Sequence, residues 1–289
     1  CKVRTPTSSR YENYHYWATD EFWNTVEIEK QYHKIDDEIG NEDFPVIESG
    51  PYGQGLLNIK AANQIKFTSL IKRILKKTYS YIYWRYKGAV QRYYYWSEVK
   101  YIIRQWRGMR YITGPKTIKF SEVSDLEYVF FPLQVEPERN FQGGSPEFFF
   151  QHAAITLLSR ELPAGCYLVI KEHYPAAGTR HIEFYKQLLD LHNLKIVDSR
   201  IPGVELVKNS KAVATINSTA GMEAAMIGKP VITFGAHNIY NFLPHVYYCN
   251  DYLNLENIIK RIFNGDYNYK TARINGAKFI KALKVISFD

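Results

Sequence analysis

At 289 residues with 46% apolar side chains, the chain is long enough for one large or two modest domains, each with its own core. No apolar run approaches the roughly 18 residues of a membrane-spanning helix, and the N-terminus lacks the charged-then-apolar pattern of a secretory signal. The net charge of +8 is unevenly placed: residues 66–110 hold twelve Lys and Arg against the single acid Glu98, a net +11 that leaves −3 for the rest.

The first 43 residues are polar and aromatic, opening Cys1-Lys2-Val3-Arg4 without Met, which suggests a processed or truncated chain. A helix is predicted from about Asp20 to Asp37. Phe44-Pro45-Val46-Ile47-Glu48 then looks like a short strand, followed by a glycine-rich loop through Gly55 that fits neither a dinucleotide fingerprint nor a Walker A spacing. From about Asn63 to Arg107 the pattern is helical, as two helices broken near Gly88, and Gly114-Pro115 is a clear break. A domain boundary is expected near Gly114–Ser124, dividing the chain into residues 1–118 and 119–289.

Beyond that break a regular alternation begins. Strands are predicted at Tyr128–Leu133, Tyr167–Lys171, Leu194–Val197, Ala212–Ile216 and Pro230–Phe234. Helices fall between them at Pro146–Glu161, His181–Leu191, Val204–Asn209 and Ala220–Ile227, with a closing helix at Leu255–Phe263. Short β-branched strands separated by helices mean βαβ units, so the predicted fold class is α/β with a parallel sheet in the second half. The first half looks like the later part of a similar α/β domain without its opening strands. Cys1, Cys166 and Cys249 are too far apart for a disulfide framework or a metal site, which points to a reducing cytoplasm.

The strand ends carry the chemistry. In Ile216-Asn217-Ser218-Thr219-Ala220-Gly221, a strand runs into a helix whose N-cap is Ser218 or Thr219, with free N–H groups and the positive dipole end facing the strand ends. Gly221 admits a phosphate close to the backbone, or it is simply a packing glycine beside an ordinary cap. Lys171-Glu172-His173-Tyr174-Pro175 follows another strand. There His173 can donate to a phosphate oxygen or protonate a leaving group and Lys171 can add charge, or the group is merely solvated. Glu223, one turn into the helix, can accept from ribose hydroxyls or complement the dipole. Gln134 and Glu136 face an interdomain cleft, or belong to a proline-bounded linker. Glu48 can act as a general base for an acceptor hydroxyl, or sit solvated in its loop.

The basic segment interleaves Lys and Arg with eleven Tyr and Trp residues between Tyr79 and Trp106. Three readings stay open: a surface lying on anionic lipid head groups, a nucleic-acid surface, or a helical pair whose aromatics pack on the domain. The first is favoured, and nucleic acid is not expected as a partner.

Taken together, Lys171-Glu172-His173 with Pro175, Gly178-Thr179-Arg180 with Phe184-Tyr185, Ser218-Thr219-Ala220-Gly221-Met222-Glu223-Ala224 and Gly228-Lys229-Pro230-Val231-Ile232-Thr233-Phe234-Gly235 resemble the bacterial capsule polysaccharide biosynthesis proteins. Phe131-Pro132-Leu133-Gln134-Val135-Glu136 resembles the opening strand of that family's C-terminal domain. The family includes transferases of the acidic sugar Kdo, and its His is usually followed directly by Pro, where this chain has Tyr174 between them.

The resemblance implies a GT-B fold, with two Rossmann-like domains facing a cleft. It implies a metal-independent glycosyltransferase without cofactor, moving a sugar from a nucleotide-activated donor such as CMP-Kdo to a lipid-linked or growing glycan at the cytoplasmic face of the membrane. His173 and Glu48 are then the catalytic candidates. Lys171, Glu172, Ser218, Thr219, Gly221, Glu223 and Gln134 are the nucleotide-sugar-binding candidates. A nucleotide-sugar epimerase and a non-catalytic module of a synthesis or export complex are the alternatives.

Overall fold

The computed structural model describes residues 5–8, 14–20, 24–36, 38–40, 44–47, 65–88, 94–136, 145, 148, 150–173, 176, 178–265 and 267–288. A hairpin of β1 (Thr5–Ser8) and β2 (His15–Ala18) leads to α1 (Glu27–Tyr32), shorter than the helix expected there. Of the strand expected over Phe44–Glu48, the described residues 44–47 form no strand with any other described residue; Pro45 has no N–H to give a ladder, and Val46 is exposed. Glu48 and the glycine-rich loop lie outside the described residues.

The helical pair forms as expected. It consists of α2 (Phe67–Tyr86) and α3 (Tyr95–Tyr111), with Gly88 at φ +73° just past the end of the first. That left-handed value suits a glycine closing a helix. A short α4 (Phe120–Val123) precedes the main sheet.

Six parallel strands follow. They are β3 (Glu127–Pro132), β4 (Cys166–Lys171), β5 (Leu194–Ile196), β6 (Ala212–Thr215), β7 (Val231–Thr233) and β8 (Val246–Tyr248), in the spatial order β5-β4-β3-β6-β7-β8. The intervening helices are α5 (Gln151–Glu161), α6 (Ile182–Leu189), α7 (Gly203–Asn209) and α8 (Thr219–Met226). Two more, α9 (Leu255–Phe263) and α10 (Tyr269–Ile286), close the chain. This is the doubly wound Rossmann order, in which the winding reverses between the first and fourth strands of the sheet, here β3 and β6.

Both sheet faces are covered, which is why the strands read as nearly continuous apolar runs. Val129, Phe131, Leu168, Ile170 and Ile232 point to one layer with α5, α6 and α9. Tyr128, Phe130, Val169, Val213 and Val231 point to the other, with α7, α8 and α10. Beyond β5, Ile118 forms a parallel bridge to Val197 and shields that edge.

The N-terminal hairpin and α1 rest on the last helix. Tyr32 Oη donates to Asn275 Oδ1 at 3.0 Å, and His15 pairs with Phe288. The α2–α3 pair is tied to the sheet domain at the loop after β4. A Cβ on Gly108 would stand 2.9 Å from Gly178 Cα, so the two backbones touch directly, and Tyr111 stacks on Tyr185 at 5.9 Å.

Candidate functional site at the carboxyl ends of the strands

In a doubly wound sheet a ligand lies outside the carboxyl ends of the strands where the winding reverses. Here those ends are Pro132-Leu133-Gln134 after β3 and Ile216-Asn217-Ser218 after β6, with Lys171-Glu172-His173 after β4 next to β3. Because all six strands are parallel, His173 and the Ser218-Thr219 turn open on one rim. Two strand spacings separate β4 from β6, roughly 10 Å at sheet level.

Ser218 is the N-cap of α8, in extended backbone at φ −138°, ψ 156°. Its Oγ accepts from Gly221 N at 3.4 Å and from Thr215 Oγ1 at 2.8 Å, and its carbonyl accepts from Tyr240 Oη at 3.1 Å. The hydroxyl is therefore engaged in shaping the turn. The first-turn N–H groups of Thr219 and Ala220 have no intrahelical partner and face the rim with the positive end of the helix dipole. Gly221 does not make room for a phosphate, because a Cβ there would lie 2.4 Å from Tyr240 Oη and 2.8 Å from Thr215 Cγ2. Of the two readings the sequence left open, the packing glycine is the one the geometry fits.

Gln134 and Glu172, read from sequence as ligand-facing, turn inward. The Gln134 side chain spans the point of reversal: its Nε2 donates to the Asn217 carbonyl, and its Oε1 accepts from Asn217 N at 3.1 Å. Its own backbone is held by the Gln151 amide, Gln134 N donating to Gln151 Oε1 at 2.7 Å and Gln151 Nε2 to Gln134 O at 2.8 Å. Glu172 is 0% exposed. It accepts from Arg180 Nε at 2.8 Å, from Tyr185 Oη, and from His173 N at 2.8 Å. Arg180 also donates to Glu136 and to the Gln134 carbonyl, and Glu136 caps α5 by accepting from Gln151 N at 3.0 Å. Burial alone would lower the Arg180 pKa, but the Glu172 and Glu136 carboxylates hold it raised.

These bonds form one buried polar frame joining the ends of β4, β3 and β6. Glu172, Gln134 and Glu136 brace the rim, and their hydrogen-bonding atoms are already taken. The sequence reading missed Gln151, Arg180, Tyr185 and Tyr240. Arg180 and Tyr185 stood within the family-like motif but far enough from the strand end to look like ordinary helix-start residues.

Lys171, His173 and Glu223 are left around this frame. Lys171 is buried, its Nζ donating, among the described residues, to the Glu172 carbonyl at 3.5 Å. Burial lowers its pKa to about 8 while Glu172 and Asp198 pull the other way. His173 is exposed on the rim, its backbone N–H fixed by Glu172. Glu223 sits in the second turn of α8, where burial raises its carboxyl to about 7.

Among the described residues no group of three or more His, Cys, Asp and Glu side chains could hold a metal ion, and no helix is long and apolar enough to cross a membrane. A cavity of about 720 Å³ lies at the outer edge of the sheet between β8 and α9, lined by Tyr247, Tyr248, Asn257 and Arg261 among others. The rim chemistry belongs to the reversal between β3 and β6 and not to that edge.

The family profile described as "Capsule polysaccharide biosynthesis protein" matches residues 46–243. The capsule polysaccharide export protein KpsS of Escherichia coli is 30% identical over 184 residues, which cover 58% of this chain and 47% of KpsS. The chain thus spans about half the length of that curated relative. Among solved structures it is similar to Thermosulfurimonas dismutans KpsC, beta Kdo 2,7 transferase. That match has 14% identity and a TM-score of 0.44, covering 89% of this chain and 67% of KpsC. It is also similar to Anabaena HepE in complex with UDP-glucose, at 18% identity and a TM-score of 0.39, covering 57% of this chain and 46% of HepE. With the profile matched over more than half its length, the chain belongs to the capsule polysaccharide biosynthesis protein family.

Proposed function

We propose that the protein is a metal-independent glycosyltransferase of the GT-B arrangement. It would take a sugar, with CMP-Kdo the leading candidate donor, from a nucleotide and pass it to a lipid-linked or growing capsule glycan at the cytoplasmic face of the membrane. Residues 119–289 would form the donor-binding domain and residues 1–118 part of the acceptor side. The observation carrying this reading is the single rim of the parallel sheet, where the α8 N-terminus and His173 stand on either side of a rigid polar frame.

The chemistry follows from that placement. An acceptor hydroxyl oxygen bonds to the anomeric carbon as the bond from that carbon to the donor phosphate oxygen breaks. The bonding electrons leave with the phosphate. The N–H groups of Thr219 and Ala220, together with the Thr219 hydroxyl, meet this growing negative charge, and His173 donates a hydrogen bond or proton to it. Lys171 adds positive potential from beneath the rim, and Glu223 accepts from the ribose hydroxyls. Glu48 remains the candidate base for the acceptor.

One observation favours a second reading. The E. coli relative is named an export protein, which supports a non-catalytic module of a synthesis and export complex built on the same fold.

Thermal-shift titration with CMP, UDP and GDP, followed by a transfer assay on the preferred nucleotide-sugar with and without acceptor, separates the two. Stabilisation by one nucleotide and acceptor-dependent product that His173→Ala abolishes supports the transferase. A protein that none of the three nucleotides stabilises refutes it.

A further inference from the structure

The α2 helix turns much of its apolar surface outward. Beside the buried Leu70, it meets α3 through polar and aromatic contacts: Thr78 Oγ1 lies 2.6 Å from Tyr95 Oη, Lys77 pairs with Glu98 at 2.7 Å, Arg73 donates to Gln105, and the tilted rings of Tyr81 and Tyr95 lie 4.9 Å apart. An outward stripe carries Ile71, Leu75, Tyr79, Ile82 and Tyr86, at 43%, 63%, 71%, 61% and 87% exposure. Their spacing of four, four, three and four puts all five within about 80° of arc, in a stripe about 22 Å long. A solvent-facing helix normally turns its apolar stripe toward the core, and an exposed stripe of this size marks an interaction site.

Charge identifies the occupant. Lys72 and Lys76 line one flank of the stripe and Arg85 the other, all exposed. On α3, Trp96, Lys100, Arg104 and Arg107 are exposed too, on the face turned away from α2, so the helical pair as a whole is basic. The one acid of the segment, Glu98, is already paired with Lys77. A second copy of this chain would bring two such faces, each rich in Lys and Arg, against each other. Nucleic acid would use the phosphate-binding cations and the aromatic rings but not the aliphatic Ile71, Leu75 and Ile82. A bilayer with anionic head groups satisfies both parts, since acyl chains take the stripe and phosphates take the flanking cations.

From this we infer that α2 is an interfacial helix. It lies along an anionic membrane surface with Ile71, Leu75, Tyr79, Ile82 and Tyr86 in the head-group boundary, and the α2–α3 pair fixes how the rim of the sheet faces the bilayer. This adds a partner to the sugar-transfer reading without depending on donor binding, so the two can fail separately.

The test is co-sedimentation of the full chain with phosphatidylcholine vesicles, with and without phosphatidylglycerol. Two surface variants are compared: Lys72→Glu with Lys76→Glu, and Leu75→Ser with Ile82→Ser. All four side chains are exposed, so the melting temperature and any nucleotide response should match those of the parent, and those readings confirm that each variant is folded. The parent should pellet with the anionic vesicles only. Loss of two lysines should weaken that partitioning by about 30-fold or more, and the serine pair should weaken it comparably.

Three outcomes would overturn the inference: no sedimentation of the parent with anionic vesicles, sedimentation of either variant as complete as the parent's, or equal binding of the parent to vesicles without phosphatidylglycerol. A parent that fails to bind vesicles but forms dimers dispersed by the serine pair would assign the stripe to a second copy instead.

Discussion

Glu172→Ala separates a carboxylate that braces the rim from one that binds donor. Glu172 is fully buried, and it neutralises Arg180, itself 8% exposed, across a 2.8 Å contact while also accepting from Tyr185 Oη and His173 N. Removing one partner of a buried ion pair leaves the other desolvated and costs about 3–5 kcal/mol. Glu136 keeps its own bond to Arg180 and holds the loss toward the lower end. At roughly 2–4 °C per kcal/mol, the melting temperature should fall by about 6–20 °C. Tyr185→Phe, which deletes one hydrogen bond to the carboxylate and no charge, should cost less, about 1.5–3 kcal/mol.

Glu172→Ala combined with Arg180→Ala should cost less than the sum of the two single changes, because the pair leaves together. Calorimetric melting of the four proteins, alongside nucleotide titration, is the assay. If Glu172→Ala melts within about 2 °C of the parent while nucleotide affinity collapses, the carboxylate reaches the ligand and the bracing role is wrong.

The other predictions concern α8 and the loop that anchors α3. Gly221→Ala should destabilise by about 1–3 kcal/mol, since its Cβ would lie 2.4 Å from Tyr240 Oη; adding Tyr240→Phe should recover part of that in chemical denaturation, and no recovery would place the clash elsewhere. Ser218→Ala should cost about 1 kcal/mol through the lost cap, read as a shift in the urea midpoint.

Glu223 keeps its proton to about pH 7 when folded but loses it near 4.5 when unfolded. The unfolded chain therefore binds fewer protons between those values, and this group makes stability fall as pH rises through the window. Glu223→Gln should match the parent at the acid end and exceed it above pH 7, by an amount of order 3 kcal/mol; parallel stability curves would rule this out. Gly178→Ala, at φ +75° with its Cβ 2.3 Å from Gln105 O, should loosen α3 from the sheet domain, seen as faster amide exchange in α3 with β3 and β4 still protected.

Periodicity, punctuation and end chemistry carried much of the fold. Short β-branched runs such as Tyr167–Lys171, set between amphipathic stretches, declare parallel strands whatever surrounds them, because both faces of such a strand must be covered. Ser218 ahead of an Ala- and Met-rich run declares a helix start, because the cap bond is local. The helical pair around Gly88 was equally legible. Where local signals are weak the reading stopped short. The three-residue edge strand β8 was overlooked, and α10 went unread because Asn275 and Gly276 interrupt its pattern. Both residues answer to distant partners: Asn275 accepts from Tyr32, and a Cβ on Gly276 would lie 2.2 Å from Met226 O.

The site divides along the same line. Residue type and position at a strand end brought His173, Ser218 and Thr219 to one rim, since parallel strands share their direction. Whether Glu172 and Gln134 point out to a ligand or in to a frame depended on Arg180, Gln151 and Asn217, which lie 8, 17 and 83 residues away from them in sequence. Composition could say that α2 is basic and aromatic. Only packing against α3 decided which of its faces was used up, and so left the apolar stripe turned outward between Lys72 and Lys76 on one side and Arg85 on the other.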